Sequence, residues 1–310
     1  MPAELSPRMR YISEVLDSSK NVNSSKLVSL SDLNSEEMEF LAEIWTDADL
    51  ERRREIISQL VHLSEFDFKL DFSGVFVVSL GDPDETIRAQ AVAGLDGEDN
   101  YLLIKPLVHA LKEDISAKVR AAAAIALGKF ALQGELGNLP SYYREKIYNS
   151  LLEVLDKKTE LTEVKRRALE AISPFSLPRV KELIETAYHT DDIKLRASAI
   201  YAMGRNCDLA WLPTVLAELN SEEVEIRYEA ASASGELGAE EAVPLIIEMT
   251  ENEDQQVQEA AIKALGEIGN EPAKQALDKL TKNPQPSIRD AAKSALKEIQ
   301  HCEDPLSLQL

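Results

Sequence analysis

The chain has 310 residues, 44% of them hydrophobic and only 5% aromatic, with 34 Lys+Arg against 55 Asp+Glu and a net charge of −21. That balance lacks the basic footprint of a nucleic-acid binder and opposes docking on an anionic membrane. The two cysteines, Cys207 and Cys302, imply no disulfide framework. The start lacks the charged-then-apolar pattern of a secretory signal, and the most apolar run, Val75 to Leu80, is too short to span a bilayer, so a cytoplasmic location is expected.

Residues 1–33 include the polar string Ser18-Ser19-Lys20-Asn21-Val22-Asn23-Ser24-Ser25 and are expected to form a mostly flexible arm with one short helix from Met9 to Leu16. Residues 34–66 read as a degenerate helical pair. Asn34 or Ser35 caps a helix running to Trp45, and Asp47 to Leu63 forms a second helix with Leu50, Ile57 and Leu60 on one face. Residues 67–299 read as seven units of helix A, turn and helix B, and residues 300–310 as a flexible tail. The A helices are predicted near 67–80, 101–112, 142–157, 178–189, 209–219, 240–250 and 271–281. The B helices are predicted to begin near 84, 116, 162, 192, 223, 254 and 285.

The units share a phrase in helix B: an apolar residue, usually Arg, then alanines three and six residues after that Arg, and often Gly. The leading Val164, Leu195, Ile226, Val257 and Ile288 are 31 residues apart, a period that signals a solenoid. With the leading residue as position 0, positions 4, 7 and 8 share its face. Alanines fill positions 4 and 7 (Ala123/Ala126, Ala199/Ala202, Ala230/Ala233, Ala261/Ala264, Ala292/Ala295), so a buried alanine stripe is predicted. Pro106, Pro213 and Pro244, at one register, are predicted in the first turn of helix A, and Gly128, Gly204, Gly235 and Gly266 as left-handed caps of helix B. The step from Val119 to Val164 is 45 residues, and the excess is expected to form a longer loop at 131–143 containing Tyr142 and Tyr143.

On these residues the chain resembles the HEAT-like repeats of the phycobilisome-lyase type, from about Asp67 to Ile299. The resemblance implies an all-α fold, a right-handed α-solenoid of about eight helix pairs with the B helices on the inner side. Such repeats recur in scaffolds, adaptors, chromophore lyases and deoxyhypusine hydroxylase, so the fold does not carry the function. The hydroxylase's iron site uses His-Glu pairs. Here His62, His109, His189 and His301 are followed by Leu63, Ala110, Thr190 and Cys302, which disfavours that activity. There is no Gly-rich phosphate loop and no nucleophile elbow. No catalytic residue, metal or cofactor is expected.

Three sets of residues remain for partner contact or cohesion. Arg88, Arg120, Arg196, Arg227 and Arg289 occupy position 1, with acidic residues a few positions earlier, and are expected to tie adjacent repeats in an Asp-Arg ladder that is broken at Gln258. Positions 2, 3 and 6 are expected to face away from the core, which nominates Arg166, Arg167, Glu170, Tyr201, Tyr228 and Glu229 as partner-binding, together with Tyr142 and Tyr143. From Asp208 to Asn270 fifteen acidic residues are opposed only by Arg227 and Lys263. The reading is a non-enzymatic protein-binding or scaffolding module for a basic protein partner. The alternative is a lyase or chaperone-like factor acting on a chromophore- or cofactor-bearing protein.

Overall fold

The structure, a computed structural model, describes residues 5–21, 24–67, 69–95 and 100–303. Among the described residues every regular element is helical. In chain order the helices are α1 (Pro7–Leu16), α2 (Ser24–Leu27), α3 (Ser35–Ile44), α4 (Leu50–Phe66), α5 (Ser73–Ser79), α6 (Glu85–Leu95), α7 (Ile104–Glu113), α8 (Ala117–Glu135), α9 (Ser141–Asp156) and α10 (Thr162–Ile172). They continue as α11 (Pro178–Tyr188), α12 (Ile193–Asn206), α13 (Leu212–Glu218), α14 (Val224–Glu236), α15 (Val243–Met249), α16 (Gln255–Ile268), α17 (Glu271–Leu280) and α18 (Pro286–Glu303). The fold is an all-α solenoid of helix pairs in two units, residues 1–171 and 172–310.

Local chemistry explains where helices begin. Asn34 caps α3 in a reciprocal capping box with Glu37, satisfying two of the backbone donors that a helix start leaves open. Asp49, Asp192, Asp254 and Asn270 cap α4, α12, α16 and α17 through their side chains. Pro213 and Pro244 lie in the first turns of α13 and α15, where a missing N–H removes no helical bond. The alanines at positions 4 and 7 are buried in every B helix named for them.

The amino-terminal segment differs from the expected flexible arm. Helices α1 and α2 and the 3-10 turn Val28–Leu30 bury Ile12, Val15, Leu27 and Leu30. Arg8 donates to the carbonyls of Ser29 and Ser31, and Arg52 of α4 donates to those of Asp17 and Lys20. Composition counted over the whole segment hid these apolar anchors. Residues 1–4 and 22–23 lie outside the described residues. At the other end α18 continues to Glu303, and the rest of the expected tail lies outside them.

The 45-residue step is also resolved differently. It lengthens helices instead of a loop: α8 has 19 residues and α9 has 16, leaving only residues 136–140 between them. The chain between Ala131 and Glu135 keeps helical backbone because Phe130 and Ala131 remain buried, so α8 gains packing by continuing.

The position-9 glycines are not left-handed caps. Positive φ is found at Cys207, Gly238 and Gly269, three residues later, each 31 residues from the next. Gly204, Gly235 and Gly266 lie inside their helices, where a Cβ would come within 2.8 Å of Ala233 Cα, 2.9 Å of Ala264 Cα and 2.9 Å of Ala295 Cβ respectively. Each is the point where one B helix touches the position-7 alanine of the next. Contact with backbone at that distance has no side chain to move aside.

Candidate protein-binding surface

The position-1 arginines do two things, and only one was expected. Arg88 Nη1 donates to the carbonyls of Asp82 and Pro83 at 2.8 and 3.0 Å, tying down the turn before its own helix. Arg120, Arg227 and Arg289 repeat this with the pairs Asp114/Ile115, Ser221/Glu222 and Asn283/Pro284. The other edge of the guanidinium can then reach the corresponding turn of the next repeat. Arg88 holds Asp114 with two bonds of 2.7 and 2.9 Å, and Arg120 holds Glu160 with bonds of 3.2 and 2.6 Å. Burial favours the neutral carboxyls, but the arginine hydrogen bonds, backbone N–H donors and nearby positive charge outweigh it, so Asp114 and Glu160 titrate below their ordinary range.

Sequence reasoning missed the first rung. Arg53 on α4 lies 2.9 Å from the buried carboxylate of Asp82, which also accepts a 2.7 Å bond from Trp45 Nε1. The degenerate spacing of that pair concealed the register. In the second unit the ladder thins one repeat before Gln258. Arg196 reaches Glu218 at 3.4 Å, and Glu218 also accepts the Tyr188 hydroxyl. Burial first, then that bond to a carboxylate, pushes Tyr188 up to about 12. Among the described residues Arg227 has only its turn carbonyls, because Asn252 stands at the register that Asp114 occupies in the first unit.

The B-helix positions expected at the surface are partly covered. Ala89, Ala121 and Ala197 at position 2, and Ser198 and Ala260 at position 3, are buried. Position 5 is buried as well, at Val92, Ala124, Leu169, Ile200, Ala231 and Ile262. A B helix inside the stack has the B helices before and after it and its own A helix as neighbours, so it meets solvent mainly at position 6 and, at Tyr228 and Glu259, at position 2.

The nominated residues therefore fall in separate places. In the first unit Arg166 and Arg167 bind Glu163 at 2.9 and 3.1 Å, and Arg167 binds Glu170 at 2.9 Å. Burial opposes the charge on Arg167, yet Glu170 and Glu163 together raise its pKa. With Glu163 these side chains form a charge cluster along one helix. Tyr142 and Tyr143 open α9, and Tyr143 lies 5.2 Å from both Tyr142 and Tyr101 between ring centroids. Tyr101, which the sequence reading did not single out, opens the 3-10 turn Tyr101–Leu103 that leads into α7, so the N-terminal ends of two A helices carry one aromatic cluster. In the second unit Tyr201 and Glu229 are half-buried and Tyr228 is 39% exposed.

The acidic stretch of the second unit is mostly solvent-facing. Glu222, Glu223, Glu225, Glu251, Glu253 and Glu259 are exposed. Lys263 is engaged by Glu267 at 3.3 Å. Glu236 is different: burial raises its pKa, Arg205 at 3.5 Å opposes that, and the charge of Glu267 adds to it. No group of three or more His, Cys, Asp or Glu among the described residues is arranged to hold a metal ion, and no described helix is long and apolar enough to cross a membrane.

Residues 212–297 match the HEAT repeats family. No curated protein matches the chain in sequence. Among solved structures, the complex of CpcE and CpcF of phycocyanin lyase from Nostoc sp. is 18% identical with a TM-score of 0.49, covering 74% of this chain and 93% of that one. Kap121p bound to Pho4p is 15% identical with a TM-score of 0.49, covering 93% of this chain and 37% of that one. Human deoxyhypusine hydroxylase in complex with glycerol is 17% identical with a TM-score of 0.37, covering 86% of this chain and 96% of that one.

Proposed function

We propose that this chain, whose residues 212–297 are HEAT repeats, is a non-enzymatic protein-binding scaffold that takes a basic partner on the acidic surface of residues 208–270. The observation that carries this reading is the fate of the two cations in that stretch. Arg227 is turned onto the carbonyls of Ser221 and Glu222, and Lys263 onto Glu267, while the turn carboxylates Glu222, Glu223, Glu251 and Glu253 face solvent. An excess of exposed carboxylates steers and orients a basic protein, and its contribution fades with ionic strength. Tyr228, with Tyr201 and Glu229, supplies side chains suited to anchoring on the B-helix side.

The test is capture of partners on the full chain from its native cells, with retention measured at rising salt. The screening length falls from about 10 Å at 0.1 M to about 3 Å at 1 M, so retention should fall steeply over that range. Replacing Glu222, Glu223, Glu251 and Glu253 by Gln should reproduce the loss at low salt. A captured set indifferent to both salt and these replacements would sink the proposal. The double change Tyr201→Ala, Tyr228→Ala should release partners at all salt concentrations.

A further inference from the structure

A groove runs between α5 and α7 in the first unit. It consists of two concavities that share Val77 and Pro106, with cavity volumes of about 470 and 420 Å³. One is floored by Leu33, Met38, Gly74 and Leu103, the other by Leu80 and Ala110. Apolar residues stand open along it: Val77 at 37%, Leu102 at 57% and Ile115 at 90% exposure. Val77 joins the exposed Leu102 in the first concavity and the exposed Ile115 in the second, so the open apolar side chains line one groove and are not scattered surface. Gly74 matters for its depth, since a Cβ there would come within 2.9 Å of Met38 Sδ.

We propose that this groove seats an amphipathic helix of a partner protein, with leucine-sized side chains at i and i+4 and Lys or Arg at both ends. The helical form follows from the surface itself. An all-α groove has no sheet edge to receive an extended strand, whose N–H and C=O groups would lie unpaired against Val77, Pro106 and Ala110, whereas a helix satisfies its own. The spacing follows from α5. The first concavity touches Ser73, Gly74 and Val77 and the second Val77, Leu80 and Gly81, an offset of about five residues or ~7 Å, near the rise between i and i+4. The charge follows from the rim. Asp32 and Asp71 border the first concavity and Glu113 the second. None of the three forms an ion pair with a described residue; Lys105 borders the first concavity alone, and in the second Arg88 is bound to Asp114. This inference rests on the protein-binding reading but not on the acidic surface of the second unit.

The test is selection from a displayed library of random peptides of about 16 residues, long enough for four helical turns, on the full chain. The Val77→Asp, Ile115→Asp chain serves as counter-target. Both side chains are exposed, so the counter-target should keep the circular dichroism and melting of the parent. Leu102→Asp is an independent second variant. The expected result is enrichment of sequences with apolar residues at i and i+4 and basic flanks, which become helical on binding and lose at least about tenfold in affinity, ~1.4 kcal/mol, to either variant. Enrichment of proline-rich or acid-flanked sequences, equal binding to parent and variants, no enrichment, or self-association of the chain that the variants abolish would each overturn it. Selected peptides should bind equally well when Glu222, Glu223, Glu251 and Glu253 are changed to Gln. Loss of the groove peptides with salt-sensitive partner capture intact would remove this inference alone.

Discussion

The two units build the same helix pair and hold neighbouring pairs together differently. In residues 1–171 successive turns are joined by a closed series of ion pairs, Arg53–Asp82, Arg88–Asp114 and Arg120–Glu160. Among the described residues of 172–310 the turn-to-turn series reduces to Arg196–Glu218, Arg205–Glu236 joins α12 to α14, and the B helices meet backbone-close where Gly204, Gly235 and Gly266 face Ala233, Ala264 and Ala295. In the first unit Gly128 approaches Ala171 less closely, and a Cβ added there would sit at ordinary contact, 3.4 Å from Ala171 Cα. Cohesion between repeats is thus interchangeable between charge and close packing. Where packing does the work, the turn carboxylates are left free to face outward.

The largest expected effect breaks the charge side of this comparison. Asp82→Ala strips a buried carboxylate from Arg53 and Trp45, and should destabilise the first unit by about 3–5 kcal/mol, the cost of leaving one partner of a buried pair uncompensated. Denaturant melts followed at Trp45 would show it. Next comes the packing side. Gly204→Val should cost about 1–3 kcal/mol because Ala233 Cα blocks the added carbons, while Gly128→Ala should be neutral or stabilising by up to ~1 kcal/mol through helix propensity. Equal effects at the two glycines would end the distinction between the units. Cys207→Gly should stabilise by about 1 kcal/mol, since Cys207 has φ 54° at the register where Gly238 and Gly269 stand.

The smallest effects separate the units by pH. Asp114 and Glu160 have folded-state pKa values below the unfolded 3.8 and 4.5, so their stabilisation is complete above those values and is lost as pH falls through the folded ones. Glu236 has the opposite sign. Its folded pKa lies above the unfolded 4.5, so stability falls as pH rises from 4.5 towards the folded value and the loss is complete above it. Glu236→Gln should therefore raise the melting temperature at pH 7 and leave it unchanged well below pH 4.5, where both states hold the proton. A shift of equal size at both pH values would contradict the burial of that carboxyl.

Much of the architecture was legible locally. The B helices begin within one residue of the positions read from the 31-residue phrase, and the alanines at positions 4 and 7 are buried as its spacing required. Helical periodicity and cap residues act within a turn or two of chain, so they can be read from neighbours in sequence. The nominated surface was less legible. Positions 2 and 3 are covered by the adjacent repeats at Ala89, Ala121, Ala197, Ser198 and Ala260 but open at Tyr228 and Glu259, and Tyr101 joined Tyr142 and Tyr143 only because two A helices begin side by side.

By itself, then, the sequence determined the repeat, the starts of the B helices and the excess of acid. The tertiary structure decided which carboxylates are neutralised, why the position-9 glycines are needed, that Ile12, Leu27 and Leu30 anchor the amino-terminal segment, and that a groove opens between α5 and α7. The physical reason is distance along the chain. An arginine's partner, a Cβ's clearance and a concavity are set by groups about 30 residues away in sequence, as with Arg88 and Asp114 or Gly204 and Ala233, and only the stacking of repeats brings them together.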